Sequence, residues 1–344
     1  MSKKYCSILI LALLLLNECT LASYDRRRST AIVFSGGGSR IGQQLAMLMS
    51  LFTGDNAGHV KVFPDFISGS SSGSVCAILA NALYRTVLDP LSPPYTPDRI
   101  RQLLLSIKEE SVIDLSISGL EKVIFDNLFD GYIFNNHPLR QLLSKELEYL
   151  KFEKLKDLYI PTCIAVTDTV DGKTYSLCSD DPNVNELPLI DIVMASTAIP
   201  GLFKPQSIAA PQSYGSGKYM DGSFGRESIP AIPAFMRNIN IIYLVTHSDN
   251  SYSFEVKPVP HYNYLHAIFQ LSNLFVSLTS SIFDISTNFM LEMWKCHKGS
   301  TIYLFQPDID DGYNMVDFNS IYKQYETTLL WTAKNQPICL NCGK

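Results

Sequence analysis

The chain has 344 residues, with 33 acidic against 28 basic side chains and a formal net charge of −5 at pH 7. Apolar residues make up 46% and charged residues 18%, which excludes an intrinsically disordered chain, and the length excludes a disulfide-held miniprotein. A pI near 5.7 gives no basic footprint for nucleic acid and argues against tight electrostatic docking on anionic lipid.

The N-terminus opens with Lys3 and Lys4, runs through the apolar stretch Ser7 to Leu16, and reaches small residues at Thr20 and Ala22. This three-part layout predicts a secretory signal peptide over residues 1–22, and its apolar run is too short to span a bilayer. Thr30 to Phe34 is a short β-branched run and predicts a buried strand. Ile41 to Phe52 has helical spacing, Phe63 to Ser68 is strand-like, and Gly73 to Leu88 is an apolar helix. Pro90 to Pro97 predicts a loop and Asp98 to Ile107 an amphipathic helix, followed by helical or irregular sequence to about Lys156. Tyr159 to Thr167 predicts a strand that turns at Asp171-Gly172 into Lys173 to Cys178. Ile190 to Ser196 predicts a helix, Tyr219-Met220 a short strand, and Ile239 to Thr246 a buried strand. The long segment His266 to Trp294 is amphipathic, and reads as a core helix or as a lid that meets lipid. Val112 to Phe134, with Phe125, Leu128 and Phe129, is a second lid candidate. Thr301 to Phe305 and Ile321 to Lys334 close the chain as strand and helix. Strands alternating with helices predict an α/β fold with a mostly parallel sheet.

Beyond the signal segment, Cys76 and Cys163 lie in apolar runs and read as core thiols. Cys339-x-x-Cys342 reads as a loop disulfide or half of a metal site, and no second Cys/His pair has the spacing zinc requires.

Two glycine-rich turns carry the chemistry. Gly69-Ser70-Ser71-Ser72-Gly73 lies between a strand and a helix, the setting a nucleophile elbow needs, with Ser71 at its centre. Gly36-Gly37-Gly38-Ser39-Arg40 also joins strand to helix. Its glycines let backbone N–H groups approach a ligand, as stabilising a tetrahedral oxyanion requires. A dinucleotide loop would need glycine at 41, where Ile41 stands.

With Asp221-Gly222-Ser223 added, these segments resemble the patatin-like phospholipases. In that family a glycine-rich loop forms the oxyanion hole, a Gly-x-Ser-x-Gly elbow carries the nucleophile, and an Asp-Gly motif carries the base of a Ser–Asp dyad. Ala195-Ser196-Thr197-Ala198-Ile199-Pro200 and Ile160 to Lys173 match two further family segments in order and spacing. The resemblance covers Thr30 to Ala234 and implies a three-layer α/β/α patatin-like fold. It places a catalytic core at 30–235 and leaves 236–344 packed on the same domain. It implies Ser71 as nucleophile, Asp221 as general base, and an oxyanion hole drawn from Gly36, Gly37, Gly38 and Ser72. Gly69, Gly73 and Gly222 are the motif glycines, and Arg40 either meets a substrate phosphate or braces the loop. No cofactor or metal is implied. The implied partner is a lipid substrate at a membrane or micelle interface, and some family members also need an activating protein.

Four departures stand out. Ile41 replaces a glycine, with Gly42 one place late; Ser70 replaces the usual threonine; Ser223 replaces Gly or Ala; and Ile229 precedes Pro230 where asparagine is usual. Two other readings compete. One is an α/β-hydrolase with a triad histidine at His247 or His266; the other is a non-catalytic lipid-binding protein on the same fold.

Overall fold

The computed structural model describes residues 28–114, 132–225, 227–248, 281–282, 284–309, 313 and 316–342. The signal-peptide segment, residues 115–131 of one lid candidate, and His266 with the first part of the other lie outside the described residues.

Among the described residues, one sheet contains β1 (Thr30–Phe34), β2 (Phe66–Ser70), β3 (Thr162–Asp168), β4 (Thr174–Cys178), β5 (Gln206–Ser207), β6 (Lys218–Asp221), β7 (Ile241–Val245), β8 (Thr301–Phe305) and β9 (Ile338–Cys339). Its order is β5-β6-β3-β2-β1-β7-β8-β9, with β4 also paired to β3. The five strands β3, β2, β1, β7 and β8 run parallel; β4, β6 and β9 run antiparallel to them, and β5 pairs antiparallel to β6. β7 and β8 continue the sheet that β1 begins.

The helices are α1 (Ile41–Thr53), α2 (Ser72–Leu88), α3 (Pro97–Ser106), α4 (His137–Leu150), α5 (Leu189–Ser196), α6 (Ile232–Met236), α7 (residues 284–294) and α8 (Ile321–Thr332). Alternation along β1 decides the layers. Ile32 and Phe34 join the cluster formed with α1 to α5 and α8, whereas Ala31 and Val33 face the smaller cluster under α6 and α7. The result is a three-layer α/β/α arrangement around a mostly parallel sheet. No helix among the described residues is long and apolar enough to cross a membrane.

Most predicted elements stand within a few residues of their expected bounds. β2 is shifted, running Phe66–Ser70 instead of ending at Ser68. Gly69 and Ser70 are held in the strand by pairing with Phe34 and Ala165, a tertiary effect that local propensity does not contain. Cys163 is not a free core thiol. It sits directly opposite Cys178 in the β3–β4 pair, with Cα atoms 4.0 Å apart, and the two form a disulfide. Cys339 and Cys342 form the second disulfide, while Cys76 is a buried thiol as expected.

The displaced glycine also has a physical reason. A Cβ on Gly42 would lie 2.2 Å from the backbone oxygen of Ile321, where α8 crosses α1. Glycine is therefore needed at 42 for helix packing, which leaves 41 open to an apolar side chain. Gly42→Ala should lower the unfolding free energy by about 1–3 kcal/mol, because backbone cannot yield as a flexible side chain would. Equilibrium urea denaturation measures this, and an unchanged midpoint would contradict the packing account.

Candidate active site

β3 brings Ser71 and Asp221 together. β2 pairs along one edge of β3 as far as Ser70↔Ala165, and β4 fills the other edge through Thr167. β6 therefore takes the first edge where β2 stops, pairing Asp221 with Val166. The last residue of β6 thus lies beside the end of β2, and Asp221 faces the elbow.

Ser71 occupies the turn between β2 and α2 with φ 53° and ψ −129°. A non-glycine residue there costs on the order of 1–3 kcal/mol, held by surrounding contacts. Ser71 N–H donates to Ser196 Oγ at 2.9 Å, and Ser196 Oγ donates to the Ala165 carbonyl at 2.8 Å. Ser74 Oγ donates to the Ser71 carbonyl at 2.6 Å. The motif glycines make this close approach possible. A Cβ on Gly69, Gly73 or Gly222 would come within 2.1, 2.3 or 2.2 Å of the carbonyl oxygens of Gly73, Ser35 and Ala165.

Asp221 is fully buried. Its Oδ1 accepts the Ser223 N–H at 2.8 Å. Its Oδ2 has no hydrogen bond of good geometry, although the Ser71 hydroxyl lies close enough to favour the charged carboxylate. Desolvation dominates and pushes the pKa from 3.8 up to about 7, against the lowering effect of Ser71 and Ser223. A carboxylate poised there is a far better base near neutrality than an exposed aspartate.

Two of the sequence departures are partners. Ser70 Oγ and Ser223 Oγ lie 2.8 Å apart and share a hydrogen bond, both buried beside Asp221. The hydroxyls that look like independent replacements in sequence form one contact between the elbow and the base motif.

The glycine loop divides its amides. Gly36 N–H donates to the Ser228 carbonyl at 3.4 Å, so this amide already has an acceptor in the protein. The amides of Gly37 and Gly38 have no acceptor in the protein among the described bonds, and Gly38 adopts φ 55° to open the turn Gly38–Arg40. Ser72 is the first residue of α2, so helix geometry also leaves its N–H without an intrahelical partner. Gln44, which the sequence did not single out, fixes the loop to the elbow. Its Nε2 donates to the Ser35 carbonyl at 2.7 Å, and its Oε1 accepts Ser72 Oγ at 3.3 Å.

Arg40 is buried and does not line the cavity. Its Nη1 lies 3.0 Å from His247 Nδ1 and donates to the Ser248 carbonyl, while Nη2 donates to the Tyr313 carbonyl at 3.4 Å. Of the two roles the sequence left open, the bracing one fits these contacts. His247 is also buried, and its ring packs so close to Gly37 that a Cβ there would meet His247 Cδ2 at 2.8 Å. Burial, and then the Arg40 charge, push its pKa down to about 3, so the ring is neutral near pH 7. Its Nδ1 contacts Arg40 and Ser248, which makes it a support beneath the loop. His266 lies outside the described residues.

Ser71, Ser72 and Gly38 open onto a cavity of about 100 Å³. Its walls are almost wholly apolar, with Ile41, Leu45, Val75, Leu143 and Phe203 among them. The one carboxylate in the wall, Glu146, is held by Arg99 at 2.8 Å and Tyr95 at 2.9 Å.

A family model described as "Patatin-like phospholipase" matches residues 32–235. The chain belongs to the patatin-like phospholipase family. Membership implies lipid acyl hydrolase chemistry and fits the layered fold described above. Among solved structures, this patatin-like chain is similar to one in the complex of full-length SpcU with full-length ExoU from the type III secretion system of Pseudomonas aeruginosa. Identity is 17% over 50% of this chain and 39% of that chain, with a TM-score of 0.23, a level that carries no statement about activity. The chain thus spans well under two thirds of that structure's length. No curated protein sequence matches it.

The folded Asp221 carboxyl keeps its proton to about pH 7, whereas the unfolded one loses it near 3.8. Wild-type stability therefore falls as pH rises between those values and carries the full penalty above them. Asp221→Asn should raise stability at pH 8 by about 2–4 kcal/mol, with the gain vanishing below pH 4. Chemical denaturation of both proteins across pH checks the sign. Ser223→Ala removes a hydroxyl that favours the charged form, so it should move the acidic limb of kcat/KM to higher pH. A limb that stays in place or moves down would contradict that role.

Proposed function

We propose that this protein hydrolyses fatty-acyl esters of phospholipids through a Ser71–Asp221 dyad. The observation that carries this reading is a single constellation at the mouth of one apolar cavity. A strained serine, a buried carboxylate with a pKa near neutrality and uncommitted backbone amides meet there.

In this mechanism Ser71 Oγ attacks the ester carbonyl while Asp221 takes its proton. The oxyanion is met by the amides of Gly37, Gly38 and Ser72. Each such donor is worth about 2.7–4 kcal/mol in comparable sites, which offsets the modest strength of an aspartate base. Asp221 returns the proton to the leaving alcohol, and the acyl group remains on Ser71. Water, deprotonated by Asp221, then attacks the acyl-enzyme; Asp221 passes that proton to Ser71 Oγ as its bond to the acyl carbon breaks, and the fatty acid is released. The apolar cavity suits the acyl chain, gaining about 0.8 kcal/mol for each methylene it buries. His247 has no part in the proton transfers.

We also propose that the protein works in an oxidising compartment after export. The Cys163–Cys178 and Cys339–Cys342 disulfides support this, because glutathione keeps such pairs reduced in the cytosol.

The decisive experiment is hydrolysis of a lipid panel with a fluorophosphonate label in parallel. Wild type should release fatty acid from phospholipid and take the label. Ser71→Ala should lose both, and Asp221→Asn should lose at least about 10²-fold in turnover. A wild-type protein that neither turns over nor labels would favour the lipid-binding alternative. His247→Asn should stay within about tenfold of wild type, since it disturbs only the loop's support; a loss equal to that of Ser71→Ala would move the base role to histidine.

A further inference from the structure

Away from the catalytic cavity, α7 exposes an apolar stripe. Ile285, Phe289 and Met293 are 70%, 64% and 57% exposed, and Ile282, also in helical conformation, is exposed too. At 3.6 residues per turn these four positions fall within an arc of about 80°. Thr287, Met290, Leu291 and Trp294 are buried on a different face, so the exposed stripe is additional to the core contact. Ile232 and Met236 of α6 add further exposed apolar surface. A stripe of this kind marks a contact surface rather than ordinary solvent-facing helix.

A cleft of about 380 Å³ opens beside the stripe. Phe289, Trp294, Met293 and Ile232 line it together with Glu227 and Lys173. Glu227 Oε2 is buried and accepts no hydrogen bond among the described residues, while the Ile232 backbone N–H favours the charged carboxylate. Lys173, which also pairs with Asp171 at 3.0 Å, supplies positive charge to the same cleft. A carboxylate between aromatic walls suits a quaternary ammonium group, and a lysine suits the phosphate beside it.

We propose that α7 and the Glu227 cleft form an interfacial site for phosphocholine lipids, with the stripe entering the acyl layer and the cleft seating the choline. This deepens the phospholipid-hydrolase reading and rests on it. Charge selects this occupant over an anionic surface, since the cleft offers a carboxylate and the whole chain carries −5. Desolvation holds the Glu227 pKa up at about 7, and a bound cation would relieve that penalty. The position also fits. Thr287 Oγ1 donates to Ser228 Oγ at 3.1 Å, and the Ser228 carbonyl holds the Gly36 amide, so the docking helix stands one residue from the glycine loop.

The test measures partition of the full chain onto vesicles of ether-linked phosphatidylcholine, which has the headgroup but no ester, and onto phosphatidylglycerol vesicles. Wild type should prefer phosphatidylcholine by about tenfold or more. Glu227→Gln should lose that preference, and Ile285→Glu/Phe289→Glu should lose about tenfold or more on both surfaces. All variants should turn over a soluble short-chain ester as wild type does and unfold at the same temperature. The proposal is overturned if either variant partitions like wild type. It is also overturned if hydrogen exchange finds residues 284–294 equally protected with and without vesicles, which would mean that the chain itself or a second copy covers the stripe. Partition is read without ester cleavage, so loss of the hydrolase reading and loss of this site give different results.

Discussion

The structure depends on how one edge of β3 is shared. β2 pairs along that edge to Ala165 and stops, and β6 continues from Val166. Two strands far apart in sequence therefore end against each other, one carrying the serine elbow and the other the aspartate. The Ala165 carbonyl is the meeting point. It accepts Ser196 Oγ, which positions the Ser71 amide, and it comes so close to Gly222 that no side chain fits. The disulfide across the β3–β4 pair fastens the opposite edge of the same strand. Reactive geometry here follows from strand termination, and needs no long loop to reach across the site.

That arrangement keeps a carboxylate out of water, and the site depends on the resulting cost. A solvated aspartate would be deprotonated near pH 7 but too weak a base to take a serine proton efficiently. Burial raises its proton affinity, and the hydroxyls of Ser71 and Ser223 limit the rise to a pKa of about 7. The Ser70–Ser223 contact belongs to this balance. A threonine at 70 and a glycine at 223 would offer no such hydroxyl pair. The two serines tie the elbow to the base motif and hold an added polar group next to the carboxylate.

Much of this was legible in the sequence because the signals were local. Strand TAIVF followed by three glycines, and strand–Gly-x-Ser-x-Gly–helix, announce their turns through residue types that the turns require. What could not be read came from contacts between distant segments. Cys163 looked like a core thiol because its partner across the hairpin is visible only once the register is fixed. Arg40 offered two roles in sequence, and only its burial against His247 and Ser248 distinguishes them. Gly36 looked equivalent to its two neighbours until Ser228 claimed its amide. Gln44 left no motif at all, since a glutamine inside an apolar helix resembles a tolerated polar residue.

The two faces of the sheet divide the work that a lipid substrate imposes. An acyl chain needs a dry cavity, and the thicker helical layer supplies it by packing α1 to α5 and α8 around Ser71. A lipid surface needs exposed apolar side chains, which would be damaging in that layer but are tolerable where the cover is thin. The opposite face has only α6 and α7 over it among the described residues, and the exposed stripe lies there. Ser228 joins the faces, with its hydroxyl contacting α7 and its carbonyl holding the glycine loop. Movement of α7 would therefore act first on Gly36, whose amide is held by the Ser228 carbonyl, while Gly37 packs against His247. Such a linkage connects the exposed face of the sheet to the glycine loop beside Ser71 through one residue.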